Sequence, residues 1–105
     1  MKRSIKIGES KYSIKQVKVI DKDPEVLGLI KHDKKRIYIK KQNGQEDKET
    51  LYHEIAHGII VDLAFSSVTN DKMNITTVKS LAKLNNNEEF IDYFGSVLRN
   101  MFVLK

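Results

Sequence analysis

The hydrophobic pattern of this chain changes its period near residue 45, and this change constrains the fold more than any other feature. Before it, apolar and polar residues alternate in short segments rich in β-branched side chains, which predicts four strands at residues 3–7, 11–20, 26–31 and 36–40. After it, apolar residues recur at four-residue steps from Leu51 to Leu63, which predicts a helix from about residue 46. Strands followed by helices predict an α+β fold.

Turn residues divide the strand region into two hairpins. Gly8-Glu9-Ser10 connects the first two strands, and residues 32–35 connect the other two. Asn43-Gly44 then ends the strand region as a turn. We therefore expect an antiparallel sheet of three to five strands, built from these hairpins and packed on the first helix.

The second half of the chain predicts two more helices after the polar stretch 66–74. The first covers residues 75–84, and the second covers residues 88–103 with its apolar residues on one face. Asn86 is the expected N-cap of the last helix, because Glu89 follows three residues later in a capping-box arrangement. The expected fold is thus one domain over residues 1–105.

Composition excludes several classes of protein. The 105 residues contain no cysteine, which excludes disulfides, thiolate metal sites and a cysteine nucleophile. This composition suits a reducing compartment, so we expect a cytoplasmic protein. No apolar run is long enough for a membrane span, and residues 1–15 lack the apolar block of a secretory signal. The net charge is +5, but the lysines alternate with apolar residues, which favours a solvated strand face over a nucleic-acid partner.

Residues 53–57 read His-Glu-Ile-Ala-His, and they contain two of the three histidines in the chain. On a helix, His53 and His57 lie one turn apart on the same face, so both imidazoles can bind one zinc ion. Glu54 would not be a ligand and would act as the general base on the water that zinc activates. The alternative is an amphipathic helix on which these three side chains only face water.

A catalytic zinc site needs a third protein ligand, and three acidic residues of the last helix are candidates. On a helical wheel, Glu88 lies nearer the apolar face than Glu89 or Asp92 does. Glu88 is therefore the first choice, and Glu89 and Asp92 remain alternatives. Glu88 could instead serve only the helix dipole as a first-turn acid.

Residues 50–59, with the hairpin before them and the acidic helix after them, resemble the small phage and mobile-element members of the ImmA/IrrE-like metallopeptidase family. That resemblance implies a minimal zincin that hydrolyses a peptide bond in a protein, such as a regulator of the phage or mobile element, with one Zn²⁺ per chain. It also implies the cytoplasm of a bacterial host as the location if the protein is phage-encoded. It also implies Glu88 as the third ligand, because Glu88, Ile91, Asp92, Phe94, Gly95 and Leu98 follow the family pattern Glu-x-x-apolar-polar-x-Phe-small-x-x-Leu in register.

The expected substrate is a peptide or protein that lies extended along an edge strand, with residues 36–40 as the proposed edge. Two other functions remain open: a zinc-binding interaction module without catalysis, and a basic protein associated with nucleic acid.

Four other polar residues could take part in the site. We expect His32 to be a surface residue of its turn, with a role as oxyanion stabiliser or proton donor as the alternative. We expect Tyr52 and Tyr93 to be packed or half-buried, although either could donate a hydrogen bond to a tetrahedral intermediate. Asp62 is a candidate partner for the free N–H of a ligand histidine, or a plain surface acid.

Overall fold

The structure, a computed structural model, describes residues 3–70 and 75–101, and their side chains except over residues 65–78. Within these residues four strands precede three helices, which confirms the α+β class. The strands are β1 (Ser4–Ile7), β2 (Ser10–Val17), β3 (Gly28–Lys31) and β4 (Arg36–Lys40). The helices are α1 (Gly44–Asn70), α2 (Ile75–Asn85) and α3 (Glu88–Met101). Residues 102 and 103, which were expected to end the last helix, lie outside the described residues.

The four strands form one mixed sheet in the order β1-β2-β4-β3. Both hairpins are antiparallel as expected, and the β1–β2 turn uses Gly8 at φ +60°. β2 and β4, however, pair in parallel, so the expectation of a fully antiparallel sheet was wrong. After β2, residues 18–27 lead to β3 at the far edge of the sheet. The chain then turns back, and β4 lies between β2 and β3.

This order also overturns the choice of edge strand. β4 pairs with β2 on one side and β3 on the other, so residues 36–40 form a central strand. β3 has β4 as its partner and stands at the end of the sheet order. The described edge strands are therefore β1 and β3, and an extended peptide could pair with either but not with β4.

One face of the sheet packs against α1 and forms the core. Ile37 and Ile39 of β4 are fully buried there, as are Leu51 and Ala56 of α1. Ile91 of α3 is also fully buried, on the side of α1 that faces α3. α1 therefore lies between the sheet and α3, and its central turns have packing partners on both sides.

The start of α1 is fixed by side chains that complete its first turn. The Oδ1 of Asn43 accepts the backbone N–H of Glu46 at 2.9 Å, which makes Asn43 the N-cap. Gly44 is the first residue of α1, so the expectation of a separate turn at Asn43-Gly44 was wrong. Asp47 is buried and accepts hydrogen bonds from Gln42 N (2.8 Å) and from Gln16 Nε2 of β2 (2.7 Å). These bonds join the helix start to the sheet. At its other end α1 runs on to Asn70, so the polar stretch expected from residue 66 is helical at least to there.

Only Asn86 and Asn87 separate α2 from α3. The Oδ1 of Asn87 accepts the backbone N–H of Phe90 at 3.0 Å, so the N-cap is Asn87 and the expectation of Asn86 was wrong by one residue. α2 continues through Asn85, and the N–H of Asn86 still donates to the carbonyl of Ala82 at 3.2 Å, which leaves Asn87 as the N-cap that precedes α3. The short connection places the end of α2 beside the start of α3.

Candidate metal centre

The candidate site begins on α1, where His53, Glu54 and His57 lie within the central turns of the helix. The two imidazole rings are one turn apart, with centroids 5.0 Å from each other. Each ring is partly exposed, His53 by 24% and His57 by 15%, whereas Glu54 is buried at 6% exposure. The motif thus presents two reachable imidazoles and one buried carboxylate.

Glu88, in the first turn of α3, lies opposite the two histidines. Its carboxylate oxygens are 3.1 Å from His53 Nε2 and 3.6 Å from His57 Nε2. One ligand atom from each of the three residues lies within 4.8 Å of the others, so His53, His57 and Glu88 form a group that could hold a metal ion. Of the three acids considered from the sequence, Glu88 is the one that the fold brings to both histidines.

The other nitrogen of each imidazole is held by a residue from a different helix. His53 Nδ1 is 2.6 Å from Asp92 Oδ1, and His57 Nδ1 is 2.9 Å from Asn85 Oδ1. An ionised carboxylate and an amide oxygen only accept hydrogen bonds, so each Nδ1 must be the donor. Asp92, considered above as a ligand, therefore orients His53 instead, and Asn85 orients His57.

The hydrogen bonds at the two Nδ1 atoms determine whether the three residues could hold a metal ion. With a proton on Nδ1, Nε2 is the ring nitrogen of each imidazole that faces the oxygens of Glu88. Acceptors that face each other at 3.1 and 3.6 Å need a cation or an added proton between them. Two imidazole nitrogens and one carboxylate are a donor set that zinc uses, so the residues present fit a divalent metal.

Asp62 does not take the role suggested for it. Its carboxylate lies against Gly8, so close that a Cβ at Gly8 would collide with it. Gly8 closes the hairpin between β1 and β2. The residues that orient His53 and His57 are Asp92 and Asn85 instead.

Asn85 was missed as a site residue because it reads as part of a capping cluster in Asn85-Asn86-Asn87. Asp92 follows Glu88 by four residues and so shares its helix face, which is the signal that both acids point toward α1. No comparable signal exists for Asn85, since its role depends on how α2 ends beside α1.

Burial sets the acid–base properties of Glu54. Desolvation raises the pKa of its carboxyl, and the nearby imidazoles of His53 and His57 oppose that rise. Gly28 of β3 packs directly on this residue, because a Cβ at Gly28 would lie 3.2 Å from Glu54 Oε2 and 2.6 Å from Thr50 Cγ2. Glycine at position 28 thus allows the edge strand to approach the carboxylate closely.

Two clefts open beside His53. One, of about 410 Å³, runs between the start of β3 and α1 and is lined by Val26, Leu27, Gly28, Glu49, Thr50, His53, Glu54 and Asp92. The other, of about 330 Å³, lies between α1 and α3 and is lined by Glu49, His53, Asp92, Gly95, Ser96 and Arg99.

Arg99 donates a hydrogen bond to Glu49 Oε1 at 2.9 Å, and this bond is the main reason why the pKa of Glu49 is lowered. A larger cavity of about 800 Å³ lies elsewhere, between β1, α1 and α3, and none of the candidate metal ligands lines it.

His32 differs from the exposed turn residue that was expected. It is half-buried, and among the described residues its Nδ1 is a buried atom without a hydrogen-bond partner. Burial lowers the pKa of its imidazole, and the charges of Lys35 and His57 lower it further. His32 therefore lies within electrostatic reach of the site and is expected to be neutral near pH 7.

The two tyrosines have opposite outcomes. Tyr52 is buried at 4% exposure, as expected, and burial raises the pKa of its phenol. Tyr93 is 69% exposed, so the expectation that it packs or is half-buried was wrong. Tyr93 follows Asp92 on α3 and faces away from the packed side that holds Ile91 and Leu98.

Comparisons with protein-family models, with curated proteins and with solved structures find no match to this chain. Among the described residues, no helix has both the length and the apolar character needed to cross a membrane.

Proposed function

We propose that this protein is a zinc-dependent peptidase with His53, His57 and Glu88 as its protein ligands. The observation that carries the proposal is the convergence of both Nε2 atoms on Glu88, while Asp92 and Asn85 hold both Nδ1 atoms. A second feature separates a catalyst from a structural zinc site. Glu54 is a buried carboxylate beside the ligands, and a structural site has no use for a base there.

A bound zinc ion would supply Lewis acidity, which acidifies water and polarises a substrate carbonyl. The side chains of the protein would transfer the proton. Glu54 would accept a proton from the attacking water and pass it to the leaving amine. Its raised pKa suits this task, because a carboxyl with a pKa nearer neutrality both takes and returns a proton readily.

The substrate would lie in an extended conformation along β3 rather than along β4. β3 is an edge strand, and its first residue, Gly28, lies against Glu54. The cleft between the start of β3 and α1 leads to His53 and Glu54. Pairing with the β3 edge would therefore bring a peptide bond past the proposed base.

The resemblance of residues 50–59 to the ImmA/IrrE-like metallopeptidases agrees with this proposal, and so does the arrangement of a sheet, a motif helix and a later acidic helix. We accordingly propose a minimal zincin whose substrate is a protein. The zinc-binding interaction module without catalysis is the outcome that the experiment below must separate from it.

The first measurement is metal content. Purified and zinc-loaded protein should hold about one zinc per chain, and His53→Ala or His57→Ala should hold none. Glu88→Gln should weaken zinc binding, whereas the matched neighbour Glu89→Gln should not, because Glu89 is not in the ligand group. Absence of bound metal in the zinc-loaded protein would contradict the whole proposal.

The second measurement is hydrolysis of a mixed-sequence quenched-fluorescent peptide library and of candidate protein substrates. Glu54→Gln is nearly isosteric and should keep zinc while it lowers the rate by about 10²- to 10⁴-fold. Equal rates for the parent and Glu54→Gln would refute the assigned base. Zinc binding without hydrolysis in either protein would replace the peptidase with the interaction module.

A further inference from the structure

The face of the sheet that points away from α1 is strongly basic. The four strands contain six lysine or arginine residues and no aspartate or glutamate. Alternation along the strands sends all six to the outer face, because the residues between them, such as Ile14, Ile37 and Ile39, are buried against the helices. We call this the basic face, defined by Lys6, Lys11, Lys15, Lys31, Arg36 and Lys40.

The register brings like charges together across the strands. Lys6 lies directly opposite Lys11, and Lys31 lies directly opposite Arg36. Like charges in such pairs destabilise a sheet. One acid from outside the sheet, Asp21, offsets part of this by an ion pair with Lys31 at 3.6 Å. An anionic ligand on the basic face would relieve the remaining repulsion.

Tyr38 is half-buried in the middle of the basic face. Its cross-strand neighbours are Lys15 on β2 and Leu29 on β3. The ammonium of Lys31 lies 5.5 Å from the centre of its ring, and Arg36 Nη1 donates to its hydroxyl at 3.5 Å. An aromatic ring surrounded by cations can stack on a base while the cations neutralise the adjacent phosphates.

We propose that the basic face binds single-stranded nucleic acid, with Tyr38 as a stacking platform. The cations extend across all four strands, a width of about 14 Å at the usual strand spacing, which suits a short stretch of backbone. A duplex keeps its bases stacked inside, so it would use the charges but not the ring. The candidate metal centre lies on α1 and α3, which are on the other side of the sheet from the basic face. Binding of nucleic acid to the basic face therefore does not depend on the proposed peptidase.

The test measures anisotropy of a fluorescein-labelled dT12 with the full-length protein, in EDTA and at several salt concentrations. For single strands, the slope of log K against log salt is about −0.7 per neutralised phosphate. Lys6→Gln with Lys15→Gln should therefore make the slope shallower by about 1.4. Lys83→Gln, an exposed lysine on α2, is the matched control and should leave the slope unchanged.

Substitutions of Tyr38 separate stacking from charge. Tyr38→Leu should weaken dT12 binding by about 5- to 150-fold, whereas Tyr38→Phe, which keeps the ring, should stay within about twofold. Thermal melts of both variants would show that the fold is intact. Stacking on Tyr38 is overturned if Tyr38→Leu binds dT12 like the parent, or if a 12-base-pair duplex binds as tightly as dT12. Binding at the basic face is overturned if phosphatidylserine vesicles compete with dT12 at equal charge, or if Lys83→Gln acts like the lysine variants of that face.

Discussion

Replacement of Gly95 by alanine is expected to weaken zinc binding about tenfold while the protein still folds. At Gly95, α3 packs directly on the backbone of α1. A Cβ there would lie 3.1 Å from the backbone N of His53 and 3.1 Å from the backbone C and O of Tyr52. These neighbours are main-chain atoms of a packed helix, so they cannot move aside as the end of a side chain can.

The size of the effect follows from that distance. Carbon atoms prefer separations of about 3.5 Å or more, so α3 must move away from α1 by about 0.4 Å near Gly95. Metal–ligand distances tolerate only about 0.2 Å, and Glu88 and Asp92 travel with α3 while the two histidines stay on α1. Loss of the correct geometry at the orienting residues of a metal site typically costs 10- to 100-fold in affinity. The strain should also cost about 1–3 kcal/mol of stability, and alanine's better helix propensity offsets about 1 kcal/mol of it.

Gly58→Ala is the matched control, because it makes the same substitution on α1 next to His57. The nearest atoms to its Cβ are the Cδ1 ends of Ile7 and Ile30, at 2.8 and 3.0 Å, and such ends can rotate away. Zinc affinity would be measured by competition with a chromophoric chelator, and stability by urea unfolding in EDTA. If Gly95→Ala binds zinc as tightly as Gly58→Ala and the parent do, the spacing of α1 and α3 does not determine the site.

Two further predictions concern the acids around the ligands. Asp92→Asn should lower zinc affinity by about 10- to 100-fold, because the charge that orients His53 is lost. Isothermal titration should find the zinc affinity of Glu89→Gln unchanged. Similar losses of affinity in both variants would contradict the orienting role of Asp92. In metal-free protein, Glu54→Gln should be more stable than the parent at pH 7. Burial raises the pKa of Glu54, so the parent loses stability as the pH rises from the ordinary pKa of glutamate to that raised pKa. Urea midpoints of the two proteins should converge below about pH 4, where glutamate is protonated in both the folded and the unfolded chain, and a parent that is the more stable one at pH 7 would refute the argument.

Local patterns in the sequence were sufficient for the type and order of the elements and for the pairing of the two histidines, but not for every boundary. The alternation in residues 36–40 matches β4, and both hairpin turns were found, because hydrophobic period and turn residues act over only a few positions. His53 and His57 were recognisable as a pair because one helical turn fixes their relation. Glu88 was favoured over Glu89 by the same kind of argument, since a helix face follows from spacing alone.

Contacts between distant segments were decided by the tertiary structure. Alternation is the same in parallel and antiparallel strands, so only the path of residues 18–27 made β4 central and β3 the edge. Alternation also predicted one wet face for each strand, but not that the lysines of β1, β2 and β3 would share a single surface around Tyr38. The roles of Asp92 and Asn85 at the two Nδ1 atoms depend on how α3 and α2 pack on α1, 39 and 28 residues away in sequence. Local propensity is carried by neighbouring residues, whereas such packing depends on the shape of the whole core.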